Sequence, residues 1–459
     1  MRSAVARDRI IRIGNGQGFW GDSPDAPVHL VEDGPLDFLG LDYLAEVTMS
    51  IMQKLRRRDP EAGYATDFID LMERLLPRLV EGNVRVLANA GGVNPGACKE
   101  ALLAAARRAG LERLTVATVS GDDILARMPE LVREGCPFAN LDDGRPVTDI
   151  LDRLLSANVY LPTTGMVAAL DAGANVVLTG RCTDPGLTLA PLVHAFGWQW
   201  DDWDRLAAGT VAGHIIECGA QCTGGNFSRW WEVRGWDRIG YPVVEAAADG
   251  SFIVTKQRGT GGLVSVDTVA EQLVYEMGNP GRYITPDVVA DFTSIRIEPA
   301  GRNRVRVSGV TGTPCTDTYK VSMSYLDGYK ATGQLTIAGP DALAKARVCA
   351  KALWGRLERA GAACAERRTE FIGVNSSHEG IVDDAVDAPE VVLRVGVKDP
   401  DRARVDRFGR ELAPLVTSGP PGVTGFAGGR PKATEAIAYW PALIPKDLVD
   451  VAVRVEDLT

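Results

Sequence analysis

Only four histidines occur among the 459 residues, so any scheme for moving protons has few places to sit. One of them is well placed. His214 and Glu217 stand three apart in Leu206-Ala-Ala-Gly-Thr-Val-Ala-Gly-His-Ile-Ile-Glu, where a helix would carry both on one face. Such a pair can act as acid and base, or give two ligands to a metal. It also has a purely structural reading, a buried histidine bonded to its helix neighbour. The glycine-rich stretch that follows at once, Cys218-Gly-Ala-Gln-Cys-Thr-Gly-Gly-Asn, keeps the chemical reading open. Cys218 and Cys222 lack a second pair at zinc spacing, so neither a metal nor another cofactor is expected.

A second set of candidates gathers where strand-like runs give way to helices. In Asn175-Val-Val-Leu-Thr-Gly-Arg-Cys-Thr-Asp-Pro-Gly-Leu, Asp184 reads as an N-cap and Pro185 as the first helical position. Capping accounts for Asp184, which leaves it a catalytic role only as partner to His214 or Glu217. Arg181 has no such explanation, and with the free N–H groups of the helix it can hold a carboxylate or phosphate. Val84-Arg-Val-Leu-Ala-Asn-Ala-Gly-Gly-Val-Asn-Pro repeats the pattern, with Asn94 as cap, Asn89 in the loop, and Gly91 and Gly92 open to a ligand. Thr163 and Thr164 begin a third helix with hydroxyls at its positive end. Gly14-Asn-Gly-Gln-Gly lacks the helix that a dinucleotide loop needs, and reads better as a tight turn bringing Asn15 and Asp22 to the same edge. Lys256-Gln-Arg-Gly-Thr-Gly-Gly resembles a phosphate cradle in composition, but its lysine comes first and strands flank it. Gly422-Val-Thr-Gly-Phe-Ala-Gly-Gly-Arg-Pro-Lys is either a lid with Arg430 and Lys432 as anion contacts or a turn-rich connection.

Positioning these residues calls for an α/β fold. From residue 8 to about 200, strand-like runs alternate with helical periodicity, the mark of a mostly parallel sheet covered by helices. Helices are expected over 43–58, 68–80, 96–109 and 203–217, and strands over 84–87, 114–119, 158–161 and 176–178. From about residue 249 short runs rich in Val, Ile and Thr alternate with turns, which points to an α+β, largely antiparallel second half. The boundaries read as 1–248, 249–365 and 366–459, with a split β-α-β arrangement expected in the tail. In a parallel sheet the three helix starts would converge at the carboxyl edge, where open α/β folds bind ligands. A small anionic substrate follows from that convergence.

Composition narrows the classes. With 50 Lys and Arg against 60 Asp and Glu, a net charge of −10 leaves no basic surface for nucleic acid. No apolar run approaches the roughly 20 residues that span a bilayer, and the first residues lack a signal peptide's apolar core. Eight irregularly spaced cysteines are no disulfide framework. A cytoplasmic protein without a membrane partner is expected.

Several of these stretches together resemble the acyclic terpene utilisation family. They are Asn89-Ala-Gly-Gly-Val-Asn-Pro, Thr179-Gly-Arg-Cys-Thr-Asp-Pro-Gly-Leu-Thr-Leu, the His214 helix, Thr285-Pro-Asp-Val-Val-Ala-Asp-Phe, Val307-Ser-Gly-Val-Thr-Gly and Thr424-Gly-Phe-Ala-Gly-Gly-Arg-Pro. The resemblance runs from about residue 9 to 447. It implies a place in the breakdown of citronellol- and geraniol-type acids, which proceeds through acyl-CoA intermediates, so CoA enters as part of a substrate. It transfers no list of catalytic residues. Some relatives carry an extra C-terminal ferredoxin-like domain, which this chain is expected to lack, so the expected partners are a second copy of the chain or a subunit supplying that domain.

Three functional readings follow. The first is a lyase or hydratase acting on a branched carboxylic acid or its CoA thioester, with His214 or Glu217 moving the proton and Asp184 or Asp22 assisting. The second is a non-catalytic subunit that binds acyl-CoA or organises a pathway. The third, a nicotinamide-dependent oxidoreductase, depends on the Gly14–Gly18 loop.

Overall fold

A computed structural model describes residues 9–45, 48–374, 376–378, 388–425 and 428–458. The chain opens with β1 (Ile10–Gln17), α1 (Ala26–Glu32), β2 (Phe38–Leu41), α2 (Thr48–Arg58), α3 (Thr66–Glu81), β3 (Arg85–Ala88) and α4 (Pro95–Arg108). It continues with β4 (Thr115–Ser120), α5 (Met128–Arg133), β5 (Leu154–Val159), α6 (Thr164–Asp171), β6 (Val176–Thr179), α7 (Gly186–Phe196) and α8 (Trp203–Ile216). Next come β7 (Pro242–Ala247), β8 (Phe252–Lys256), α9 (Val266–Leu273), β9 (Tyr283–Ile284), β10 (Val288–Asp291), β11 (Arg296–Pro299), β12 (Val305–Ser308) and β13 (Thr311–Pro314). The remaining elements are β14 (Thr318–Ala338), α10 (Ala342–Arg359), β15 (Glu366–Ile372), β16 (Glu390–Asp399), α11 (Arg402–Leu412), α12 (Leu415–Ser418), β17 (Thr434–Pro445) and β18 (Ala452–Asp457).

Ten strands form the main sheet, in the order β11-β12-β8-β7-β1-β2-β3-β6-β4-β18. Its centre, β1-β2-β3-β6-β4, is parallel throughout. The reason lies in the sequence: Val86, Leu87 and Ala88, and likewise Val176, Val177 and Leu178, are apolar at every position because both faces are covered. Leu39, Leu41, Val86, Ala88, Val176 and Leu178 join the core formed with α3 and α4. On the other face α7 packs against β1 and β2, where the Phe38 ring meets His194 edge-on at 6.4 Å. Each fully buried leucine or valine here contributes about 1.5–3 kcal/mol over an exposed one.

The α/β class and its parallel-then-antiparallel order agree with the sequence, with an added feature. The antiparallel strands from residue 249 onward include β8, β11 and β12, which extend the same sheet beyond β7, while β18 pairs antiparallel with β4 at the far edge. The strand expected at 158–161 is β5, and it pairs with β14 instead of joining the parallel sheet. A three-stranded sheet, β13-β10-β9, packs on α8. Gly312 allows that contact, since a Cβ there would fall 2.3 Å from the Trp203 carbonyl oxygen.

The chain divides into two compact units, residues 1–324 with 439–459, and residues 325–438. The expected boundaries at 248 and 365 fall inside these units. The second unit has its own core, with Leu335, Ile337, Leu353, Leu393, Val395 and Phe408 fully enclosed. Its strands are ordered β15-β16-β14-β17, with α10 and α11 between them along the chain. This β-α-β-β-α-β succession is the split β-α-β arrangement, drawing in β14 and α10 as well as the tail.

Candidate active site

The loops leaving β1, β2, β3, β4 and β6 all start at the carboxyl edge of the parallel strands. There the first unit encloses a cavity of about 420 Å³, lined by Asp22, Asp42, Arg181, Asp184, Glu217 and Glu276, among others. One arginine thus faces five carboxyl groups.

Arg181 is the centre of the arrangement. Its side chain is 1% exposed. Nε donates to the Cys182 carbonyl oxygen at 3.0 Å and Nη1 to that of Leu44 at 3.1 Å. The guanidinium stacks over the Tyr160 ring, 4.5 Å from its centroid, and forms an ion pair with Asp184. Asp184 therefore does not cap α7 as its position before a proline suggests. The N-cap is Pro185, with no side-chain bond, and the Asp184 carboxylate turns to the arginine. An arginine cannot be left buried and unpaired, whereas the first N–H groups of α7 are already taken by the carbonyls of Thr183, Asp184 and Pro185. Behind it, Asp122 accepts the Arg181 N–H at 2.9 Å and the Asn158 amide at 2.9 Å. Burial pushes the Asp122 carboxyl up to about 6. Gly180 permits this, because a Cβ there would lie 2.6 Å from the Asp122 oxygens.

Glu217 ends α8 and lines the cavity, with His214 one turn behind it. The imidazole Nδ1 stands 3.3 Å from Glu217 Oε1 and 3.5 Å from the Tyr283 hydroxyl. Tyr283 of β9 and Phe292, just after β10, wall in the ring at centroid distances of 5.3 and 5.4 Å. The other Glu217 oxygen, Oε2, is buried without a hydrogen-bond partner. Burial raises the pKa of Glu217 above the ordinary carboxylate range, although the bond and charge of His214 oppose it. Burial works against the charged imidazole too, yet the Glu217 carboxylate prevails and holds the histidine pKa above its usual value.

Three further groups hold these in place. Asn15 donates to the carbonyl oxygens of Ile216 at 2.6 Å and Glu217 at 2.8 Å, fixing the end of α8 to β1. Gly213 lets α8 press on the Arg181 loop, since a Cβ there would sit 2.5 Å from the Pro185 carbonyl oxygen. Asn89 is fully buried and braces Asp42, donating to its Oδ1 at 2.6 Å while accepting the Tyr43 N–H at 2.6 Å. Burial raises the Asp42 pKa, against the pull of Arg181. Asp22 accepts N–H bonds from Gly18 at 2.9 Å and Ser23 at 2.7 Å, and the Tyr241 hydroxyl donates to it.

With this geometry in place, comparison with known proteins bears on what the cavity serves. The model for acyclic terpene utilisation family protein AtuA matches residues 11–455. The chain belongs to that family. Membership implies a role in acyclic terpene utilisation. No curated protein and no solved structure matched the chain.

Other residues that the sequence singled out are committed elsewhere. Asn94 caps α4 through Ala97 N–H at 3.3 Å and donates to the carbonyls of Pro60 and Ala62. Gly91 and Gly92 serve packing instead of ligand approach: a Cβ would meet the Thr179 carbonyl oxygen at 2.6 Å and the Met52 sulfur at 2.1 Å respectively. Thr163 gives both its N–H and its hydroxyl to the buried Asp287 carboxyl at 2.9–3.2 Å, so α6 already has a carboxyl group at its start. Thr164 is exposed. The convergence of three open helix starts on an anion is accordingly not what this edge provides. Arg430 is an exposed residue of the second unit, and Phe426 and Ala427 of its loop lie outside the described residues. Gly14 and Gly16, expected in a tight turn, lie within β1, and packing takes up the glycines, with a Cβ at Gly16 2.9 Å from Pro27 and one at Gly18 2.8 Å from the Cys218 carbonyl carbon. Burial pushes the Cys182 thiol up to about 11 and Cys218 to about 12, far from a reactive thiolate. No cluster of three or more ligating side chains suits a metal among the described residues. No helix among them is long and apolar enough to cross a membrane.

Sequence reasoning passed over Asp42, Asp122 and Tyr160. Asp42 was hidden by an expected helix from residue 43, whereas the chain makes a turn there, with Leu44 N–H on Asp42 Oδ1 and Ala45 N–H on Thr48 Oγ1. The usable signal was Phe38-Leu-Gly-Leu, a short buried strand followed directly by an acid.

Proposed function

We propose that the chain is an enzyme of acyclic terpenoid acid breakdown that moves a proton beside the carbonyl of a branched acyl thioester, a lyase or hydratase. The observation that carries this is the buried Glu217 carboxyl, one oxygen of which has no partner while it borders the cavity. A carboxyl with a raised pKa and a histidine behind it is suited to taking and returning protons near neutral pH. In the dehydrating direction the Glu217 carboxylate accepts the proton α to the carbonyl. Asp42, held towards its protonated form by burial, gives a proton to the departing β-hydroxyl, which leaves as water. Hydration runs the same transfers in reverse.

The charge of the cavity favours a thioester over a free acid. A substrate carboxylate would enter among five acidic groups, and the single guanidinium is already paired with Asp184. Like charges at close range disfavour that state, whereas a thioester carbonyl is neutral. CoA would then be carried as part of the substrate. The test is incubation of purified protein with branched enoyl- and 3-hydroxyacyl-CoA thioesters, following the enoyl absorbance. Turnover that falls by about 10²–10⁴-fold in Glu217→Gln is expected. Binding without turnover of any panel member would sink the enzyme reading and leave a non-catalytic acyl-binding subunit.

A further inference from the structure

We propose that a second, basic cavity on the main sheet binds a phosphate-bearing anion of pyrophosphate size or larger. Its volume is about 820 Å³, within the range of small-molecule sites, and it shares no lining residue with the acid-lined cavity. The floor is one face of β1, β7 and β8, where Arg12 stands opposite Glu245 and Val243 opposite Thr255. Around it are five cationic side chains, Arg12, Lys256, Arg258, Arg302 and Arg304, against the carboxylates of Asp33 and Glu245. In a chain of net charge −10, that local excess is the reverse of the whole.

The excess is not neutralised internally. Glu245 takes Arg12 at 3.5 Å and Arg304 at 2.5 Å. Lys256, Arg258 and Arg302 have no ion-pair partner among the described residues. Lys256 is the informative one, because it is only 8% exposed and donates to neutral acceptors alone, the Thr260 carbonyl at 2.9 Å and hydroxyl at 3.2 Å. Burial, reinforced by the neighbouring Arg302, holds its pKa below the usual lysine value. A buried ammonium crowded by another cation is the arrangement that a bound anion relieves. Residues 256–260 are also prearranged to receive one. Gln257 anchors the loop by donating to the Leu30 carbonyl at 2.8 Å, and Thr260 Oγ1 closes back on the Gln257 carbonyl at 2.7 Å. Gly259, at φ +80°, leaves its backbone bare, with nothing within 4 Å of a Cβ built there. Three unneutralised cations match the charge of two linked phosphates better than that of one carboxylate.

A third hollow, of about 550 Å³, shares Tyr241 with the acid-lined cavity and Arg258, Gly259 and Thr260 with the basic one. The anion is therefore either the phosphorylated tail of a substrate whose reacting end lies at Glu217, or a separate phosphate effector. The first case rests on the function proposed above, and the second does not.

Calorimetric titration of the full chain with pyrophosphate, ADP and CoA tests the site without needing turnover. Binding is expected at low salt, weaker as ionic strength rises. In Arg258→Gln/Arg302→Gln, both exposed positions, affinity should fall at least about tenfold while the melting temperature stays at the wild-type value. Glu217→Gln should bind all three as the wild type does. If the ligand is a substrate tail, the double variant raises KM for the thioester with kcat unchanged, and pyrophosphate competes with it. An effector binds without competition. Either pattern supports the site. Absence of binding by all three at low salt, or equal affinity in a folded double variant, overturns it.

Discussion

At the scale of single residues, the proposed chemistry turns on how Glu217 shares its charge with His214. Burial drives the glutamate towards its neutral form, and the histidine counters with a hydrogen bond and a favourable charge. Only the ionised glutamate can accept a proton, so kcat/KM should rise with pH through a pKa above the ordinary carboxylate range. Removing the opposing partner sharpens the prediction. In His214→Ala the lowering influence is gone, and the acidic limb of the pH–rate profile should move further towards high pH. A limb that stays put would show that the pair is uncoupled. Arg181 invites a different measurement, since its cation is enclosed between Asp184, Tyr160 and the carbonyls of Leu44 and Cys182. Arg181→Met keeps the bulk and removes the charge, leaving buried acid without compensation. A loss of about 3 kcal/mol in denaturant unfolding is expected, and a change under 1 kcal/mol would contradict it.

At the scale of elements, two contacts decide whether these residues meet. The first is the seat of α8 on the start of α7, made possible by Gly213. Gly213→Ala sets a methyl against the Pro185 carbonyl, and should cost about 1–3 kcal/mol while lowering activity by displacing Glu217. Thermal unfolding and kinetics on the same preparation check both effects. The second is the start of α6, where Asp287 has a carboxyl pKa raised by burial to about 6. Between the ordinary value of 3.8 and 6 the folded chain holds a proton that the unfolded chain has lost, so folding is favoured at low pH and this advantage is gone above 6. Asp287→Asn accepts from Thr163 without titrating. The wild type should thus gain on the variant by about 3 kcal/mol as pH falls from about 7 to 4, read by urea unfolding at each pH. Much of this level was legible in the sequence. The expected strands at 84–87 and 176–178 and the periodicity of 203–217 correspond to β3, β6 and α8. Pairing partners were not, because the largely apolar composition of β5 or β8 is the same whether the strand joins one sheet or another. Asp184 before Pro185 shows the limit at the site: composition marks a helix start, but the claim of a buried arginine on that carboxylate comes from 160 and 44, far away in the chain.

At the scale of the whole molecule, each of the two compact units has a core of its own among the described residues. That of residues 1–324 and 439–459 carries the sheet and both cavities, and that of residues 325–438 is closed by Leu335, Ile337, Leu353, Leu393, Phe408 and Leu412, each fully buried. The second is continuous in sequence and has α10 and α11 packed on its sheet, two of whose strands, β14 and β17, extend past residues 325 and 438. A continuous segment with a core of its own should fold alone. Residues 325–438 expressed by themselves are expected to show mixed helix and strand signals and one cooperative urea transition, with a slope of about 1–3 kcal/mol per molar. Leu393→Ala within that fragment should then cost about 2–5 kcal/mol, since it opens a hole at the centre of the sheet face. A broad, sloping transition in the fragment, or indifference to Leu393→Ala, would mean that this core depends on the rest of the chain for its stability.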